Sequence, residues 1–408
     1  MARLFLAFAA FLLFSNQVSA QFVSPDASDV VDTVGKLRAI GLPDPDLIEF
    51  GPPPKVPGLL RQLNRELEAL IIDTLNDSSR RGAPSEEEIF GQLRAAGWNA
   101  VPDHKWNAYG EIVKISFDWQ LGYDPTVLIV ATQLWVPCGS QDPDAKVYVF
   151  QGGIRKWNLL ISADADFDPL MESEESGVQY HLSPADPSGK FYLAIAHSPP
   201  SCRDEPPYVR YEILLPGQSD DGSKTIFSRR EAVNDHFKPP FRLQAEADWF
   251  SLTRGIVRKL DGEPGVSIAR YKISGDQVMR IQPLALTPEN FLDEWTQLDW
   301  EEASHWSAPT HRAEIEAWHA SLHGLANDSA EFESVQSCPA TGDLDSSWLV
   351  TLWIDRQENP SFPQTRLYVA IARHNGTFDV ENVRNTTDTS CPGTTAAAKS
   401  VDWDLPDW

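Results

Sequence analysis

The sequence predicts a mainly β protein, propeller-like or made of several packed antiparallel sheets, with a helical N-terminal segment and a helical insertion near 288–323. Three observations predict it. From Glu111 onward apolar residues recur with a period of two, as strands require. Short runs of this kind follow one another at near-regular spacing between turn signals, as in sandwiches, barrels and propellers. Helical periodicity is confined to residues 21–100 and 287–323.

The chain has 408 residues, enough for a large core and more than one domain. Its composition, 42% hydrophobic and 23% charged, is that of a folded protein. Residues 1–20 read as a secretory signal. Arg3 is the positive start, Leu4 to Phe14 the apolar run, and Val18-Ser19-Ala20 the small residues before cleavage, leaving Gln21 as the mature N-terminus. That run is short for a bilayer span and no later stretch is longer, so a secreted or periplasmic protein without a membrane span is expected.

The formal net charge is −25, and losing Arg3 with the signal makes it one unit more acidic. A field of that sign repels nucleic acid and anionic membranes, so no nucleic-acid partner is expected. Solubility alone accounts for such a charge; the expected partner is a protein or a saccharide of unspecified identity.

Taken in order, residues 21–100 form a helical segment. A helix is expected over Val30–Ile40, before Gly51-Pro52-Pro53-Pro54 breaks the chain. Leu60, Leu63, Leu67, Leu70 and Ile71 form the stripe of a second helix. Ser85-Glu86-Glu87-Glu88 is a capping box that starts a third, and Gly97 follows its end. This segment is expected to dock its apolar stripe on a β body spanning 101–286.

Within that body, strands are expected at 111–119, 127–131, 146–150, 156–161, 178–182 and 190–197. Further strands are expected at 208–215, 225–229, 241–249, 255–259, 266–273 and 278–281, with turns at Asp261-Gly262 and Gly275-Asp276. The insertion 287–323 then opens with Thr287 as cap and Pro288 at the first helical position, and a second helix covers Arg312–His323. A C-terminal β segment, 324–391, holds strands at 331–336, 348–354, 366–373 and 378–383; residues 392–408 read as a tail. Lys190–His197 and Arg366–Arg373 match in residue type at each position. Such an echo arises from duplication or from the common look of buried strands.

Cys138, Cys202, Cys338 and Cys391 are the only cysteines. An even number in an exported chain favours disulfides, and Cys138–Cys202 with Cys338–Cys391 is the preferred of three pairings, each closing one local β segment.

No residue is singled out as catalytic. The chain has no GxSxG elbow, P-loop or dinucleotide fingerprint. Asp164, Asp166 and Asp168, with Glu172, Glu174 and Glu175 beyond, are a candidate calcium site, because alternate carboxylates can turn toward one hard cation. Pro169 and the missing EF-hand glycine favour a solvated acidic loop instead, so calcium is the single candidate cofactor and none is required. His319 and His323, four apart, have metal-ligand spacing without the HExxH glutamate. Trp295, Trp300 and Trp306, with Asp293, Glu294, Asp299, Glu301 and Glu302, have the residue types of a sugar-processing site. On one helix, however, they read as a buried aromatic face and a wet acidic one. Asn76, Asn327, Asn375 and Asn385 are formal glycosylation acceptors.

Two stretches, His104–Ile112 and Pro283–Trp295, resemble parts of a family of exported bacterial proteins with no assigned activity, the likeness extending loosely over 104–306. The resemblance implies a bacterial exported protein and no functional residues.

The function expected is therefore that of an exported, non-catalytic binding or interaction protein. A secreted hydrolase using paired carboxylates, with carbohydrate as one substrate class, is the alternative. A calcium-stabilised exported protein is the weaker one.

Overall fold

The computed structural model describes residues 26–41, 52–77, 85–100, 108–120, 122–136, 145–152, 156–165, 178–186, 188–198, 207–217, 223–234, 239–281, 287–325, 329–339, 346–355, 362, 366–385, 391 and 399–400. The signal segment 1–20, Cys138, Cys202, Asp166, Asp168 and the tail beyond 400 lie outside them. The chain divides into two compact units, one of residues 1–142 and 150–159, the other of 143–149 and 160–408.

The first unit holds three helices: α1 (Ala27–Ile40), α2 (Val56–Asn76) and α3 (Glu86–Ala95). Their starts follow local chemistry. The Asp26 carboxylate accepts from the backbone N–H groups of Ser28 and Asp29, and Ser85 Oγ accepts from Glu88 N. Val30, Val34 and Leu37 of α1 and Leu60, Leu63 and Leu67 of α2 are all buried. The following strand, β1 (Glu111–Gln120), pairs antiparallel with β2 (Val127–Trp135). Side-chain contacts tie the helices to the strands and to the turn before β1 within this unit. Arg38 donates through Nε and a terminal nitrogen to the two Glu111 oxygens at 2.6 and 2.7 Å. Gly110, with φ of +71°, lies so near Leu37 that a Cβ would come within 2.5 Å of its Cδ1, so glycine is required there. Asn76, a formal glycan acceptor, is engaged at both ends of its amide. It accepts from Trp157 N at 2.7 Å and donates to Trp157 O at 3.3 Å.

The remaining strands are β3 (Ala145–Gly152), β4 (Trp157–Ala165), β5 (Val178–Leu182), β6 (Leu193–His197), β7 (Tyr208–Pro216), β8 (Ser223–Ala232), β9 (Phe241–Ala245), β10 (Trp249–Val257), β11 (Pro264–Ser274) and β12 (Gln277–Ile281). Beyond the helices come β13 (Ala330–Cys338), β14 (Ser346–Ile354), β15 (Arg366–His374), β16 (Thr377–Arg384) and β17 (Lys399–Ser400). They form four antiparallel sheets, in the orders β1-β2-β3-β4, β5-β6-β7-β8, β12-β11-β10-β9 and β16-β15-β14-β13-β17. The mainly β architecture of several antiparallel sheets is thus as expected. Three of the sheets are four-stranded meanders, which are also the unit of a propeller, and the other carries β17 as a fifth strand.

Two expectations are corrected. Residues 241–249 are not one strand, and 255–259 does not begin another. β9 ends at Ala245 and β10 starts at Trp249, joined by a tight turn in which Glu246 N donates to Trp249 O at 2.8 Å. The turn carries Glu246, Ala247 and Asp248 rather than glycine or proline, and the Tyr192 hydroxyl reaches the carbonyls of Glu246 and Trp249 at 2.5 and 2.7 Å. A tertiary contact supplies what turn residues usually supply. The echo between 190–197 and 366–373 falls on β6, the second strand of its meander, and on β15, the third. The two are not equivalent positions. They look alike because both are central strands, Leu193–His197 buried throughout and Val369–Ala372 likewise.

In the second unit, sheets β5–β8 and β9–β12 share a core around Tyr211, Phe250 and Tyr271, with Phe227 packed against it. Phe250 and Tyr271 stack at 4.8 Å between centroids. The Gln179 amide runs along β9 like an added strand, donating to Phe241 O and accepting from Leu243 N, both at 2.8 Å.

The other core lies between sheet β13–β16 and three helices, α4 (Pro288–Gln297), α5 (Trp300–Ala303) and α6 (Arg312–His323). Thr287 caps α4 through Asn290 N, as its sequence requires. Phe291 stacks on Phe378 at 5.4 Å, and Trp295 is fully buried. Cys338 and Cys391 are joined by a disulfide, their Cα atoms 5.5 Å apart.

Candidate ligand pocket

α4 is buried nearly all round. Asp293 is 0% and Glu294 8% exposed, so these acids do not form the wet face expected of them. The reason is that α4 packs on sheet β13–β16 with one side while its acids turn toward the β9–β12 sheet. Asp293 Oδ1 accepts from Leu260 N at 2.9 Å and Oδ2 from Gln297 Nε2 at 2.6 Å. Burial pushes its carboxyl up to about 6, against the backbone donors of Leu260 and Lys259 that hold it down.

That shift has a defined sign. A raised carboxyl pKa favours the folded state where the group is protonated, fully below the ordinary value of 3.8, and the contribution is lost as pH rises through about 6. The loss amounts to about 3 kcal/mol. Asn at 293 keeps the Leu260 contact and cannot ionise. Asp293→Asn should therefore gain stability over the wild type as pH rises from 4 to 7, read by urea unfolding at each pH. A difference independent of pH would show that Asp293 is solvated.

Of the other candidates, His319 and His323 do not form a metal pair. His319 Nε2 lies 3.1 Å from Trp295 O and His323 Nδ1 2.9 Å from Thr296 O, where they satisfy the last carbonyls of α4. Burial holds the His319 imidazole below its usual range. Trp295 Nε1 donates to Ala303 O at 3.2 Å and Ser307 Oγ at 3.1 Å, and Trp306 is also buried, so these rings are core. Asp164 of β4 is exposed and its Oδ1 pairs with Lys146 Nζ at 2.9 Å. Among the described residues no group of three or more acids, histidines or cysteines is placed to hold a metal.

What the fold does assemble is a cavity of about 390 Å³ in the second unit, among β8, β10, β11 and α4. That volume is within the range of small-molecule sites. Another hollow, beside Arg242 and Thr253, measures about 10 Å³ and has room for little more than a water. The polar lining of the larger cavity comes from Asn234, Arg254, Ser267, Glu294 and Gln297. Pro207, Val233 and Ile256 add apolar patches.

Around it Glu231 stands between two guanidiniums, those of Arg254 and, at 3.9 Å, Arg229. Arg254 Nε lies 2.9 Å from Glu231 Oε2 without the alignment of a hydrogen bond, while its terminal nitrogen donates to Ala232 O. Arg280 pairs with Glu294. Nearby, the Tyr211 and Tyr271 hydroxyls share a hydrogen bond of 2.8 Å, and the Arg229 guanidinium lies over the Tyr271 ring at 5.7 Å. Burial, reinforced by Glu231 and Tyr271, raises the Tyr211 phenol far above its usual range. Burial alone would lower the Arg229 guanidinium; Tyr271, Tyr211, Glu231 and Glu302 outweigh it.

Ser267 is 4% exposed and its Oγ has no hydrogen-bond partner among the described residues. Asn290, one turn before Glu294 on the same helical face, is 2% exposed, and neither atom of its amide has a partner among the described residues. A buried polar atom left unpaired costs about 1–3 kcal/mol, so Ser267, which lines the cavity, calls for a reason.

No spaced motif in the sequence marks Arg254, Ser267, Glu231 or Arg280. A signal existed in β8, where Phe227, Arg229 and Glu231 alternate onto one face. A charged residue on the face that carries a packed phenylalanine points inward. No family model and no curated protein matches the chain.

Proposed function

We propose that the protein is an exported, non-catalytic binding protein whose ligand is a small molecule held in the cavity among β8, β10, β11 and α4. The observation that carries this is a 390 Å³ cavity lined by Arg254, Ser267 and Glu294. A cavity with a few convergent polar groups on an apolar lining is the usual form of a small-molecule site. It also turns the expected choice between a protein and a saccharide toward a small partner. Among the described residues no helix is long and apolar enough to cross a membrane.

The hydrolase alternative would take Glu231 and Glu294 as its carboxylate pair. Each is already engaged by a guanidinium, from Arg254 and from Arg280, which suits a fixed wall better than a proton-transfer pair. The calcium reading keeps only Asp164 among the described residues, and that carboxylate is taken by Lys146.

A thermal-shift screen of the purified protein tests the proposal, because any ligand of the folded state raises the midpoint by mass action. Small metabolites, saccharides, and calcium with chelator make up the panel. Ala232→Trp, at an exposed position of the lining, should plug the cavity without unfolding the chain and abolish the shift of any hit. Hits that survive the plug, or a shift with calcium that chelator reverses and the plug leaves intact, would place binding elsewhere and overturn it.

A further inference from the structure

Resting on that pocket, we infer that its ligand is a neutral polyhydroxylated molecule of mono- or disaccharide size, and that Ser267 is a specificity-determining contact. The argument runs through the charges first. Among the described residues the charged lining of the cavity is Arg254 and Glu294, one cation and one anion, and each faces an opposite charge, Glu231 and Arg280. The wall is polar but carries no net charge.

An anionic ligand would find Arg254 already compensated by Glu231, with one of its terminal nitrogens spent on Ala232 O. A cation would find Glu294 compensated by Arg280. Either would give up hydration on entering the cavity without gaining a free counter-charge, which is unfavourable. An apolar ligand would cover Ser267 Oγ, already 4% exposed and unpartnered, and fix the cost of its lost hydration.

A hydroxyl group solves the problem that those three do not. It donates and accepts at once, as Ser267 Oγ does. It can donate to the Glu294 carboxylate and accept from the Arg254 guanidinium, both of which line the cavity. Pro207, Val233 and Ile256 meet the C–H faces that a sugar ring presents between its hydroxyls. The cavity's 390 Å³ admits one or two rings and not a longer chain held within it.

The test is isothermal titration of the full protein with glucose, galactose, maltose and myo-inositol as neutral probes. Inorganic phosphate, glucuronate, glucosamine and benzyl alcohol serve as charged and apolar controls. At least one neutral probe should bind one-to-one. Ser267→Ala should weaken it about tenfold, the loss of one good hydrogen bond. The same variant should leave the thermal midpoint of the unliganded protein unchanged or raised, because it removes an unpartnered hydroxyl. That combination separates a ligand contact from a structural one. Neutral binding insensitive to Ser267→Ala overturns the inference. Binding of a charged or apolar control in preference, abolished by Ala232→Trp, overturns the sugar class and leaves the pocket reading standing. Heat from none of the eight compounds overturns the sugar class, and a flat thermal-shift screen beside it overturns the pocket reading as well.

Discussion

Replacing Trp295 by alanine is expected to destabilise the second unit by about 3–5 kcal/mol, the range for removing a large buried aromatic. Trp295 is the largest fully buried side chain of the chain's described residues. Its loss leaves a cavity between α4 and the sheet β13–β16 that the surrounding core, with Phe291, Trp306 and Leu352, fills only in part. Two further costs add to it. Ala303 O and Ser307 Oγ lose the indole donor that ties the α5 segment to α4. The His319 ring, edge-on to the indole at 4.7 Å, loses its neighbour while remaining bonded to the backbone carbonyl. Trp295→Phe keeps much of the buried area and loses the donor, so it should cost about half as much. Urea unfolding followed by circular dichroism measures both, with the midpoint moving and the slope unchanged. A cost below about 1 kcal/mol for the alanine variant would mean that α4 is not the centre of this core.

How far the sequence carries can be seen at that same helix. Thr287 and Pro288 announce its start, and Phe291 and Trp295 its apolar stripe, because capping and periodicity are local rules. Arg312–His323 is equally plain. Periodicity identifies one buried face and assigns the rest to water, Asp293 and Glu294 included. They are buried because a second sheet covers that side, and nothing local in the sequence records a second sheet. The turn at Glu246–Asp248 escaped for a related reason: Tyr192, some fifty residues away, holds it. Asn375-Gly376, the start of a formal glycan acceptor, also makes the two-residue turn between β15 and β16, with positive φ of 49° and 82°. The pocket was the least legible part. Asn234, Arg254, Ser267 and Glu294 come from four separate stretches of chain. None belongs to a spaced motif, and only register and packing bring them together.

Breaking the Cys338–Cys391 bond is expected to cost about 4 kcal/mol, the loop-closure entropy of a 53-residue separation in the chain-entropy model. The bond runs from the end of β13 to a point past β16 and so closes a loop that contains β14, β15 and β16. Those strands supply Val350, Leu352, Leu367 and Val369 to the core under α4. Freed at Cys391, the unfolded chain regains conformations, while the folded strands keep their hydrogen-bonded register. The loss is therefore in the unfolded state, and the spectrum of the folded protein should hardly change. The double variant Cys338→Ala/Cys391→Ala should show the full effect in a thermal melt, and a reductant should reproduce it in the wild type. A midpoint indifferent to both would refute the stabilising role. Peptide mapping without reduction adds a second reading, since it also tests the preferred Cys138–Cys202 link, which lies outside the described residues. Disulfides of this kind persist in oxidising compartments. Recovery of the Cys338–Cys391 peptide from protein taken directly from its host would favour the proposed export, and two free thiols there would count against it.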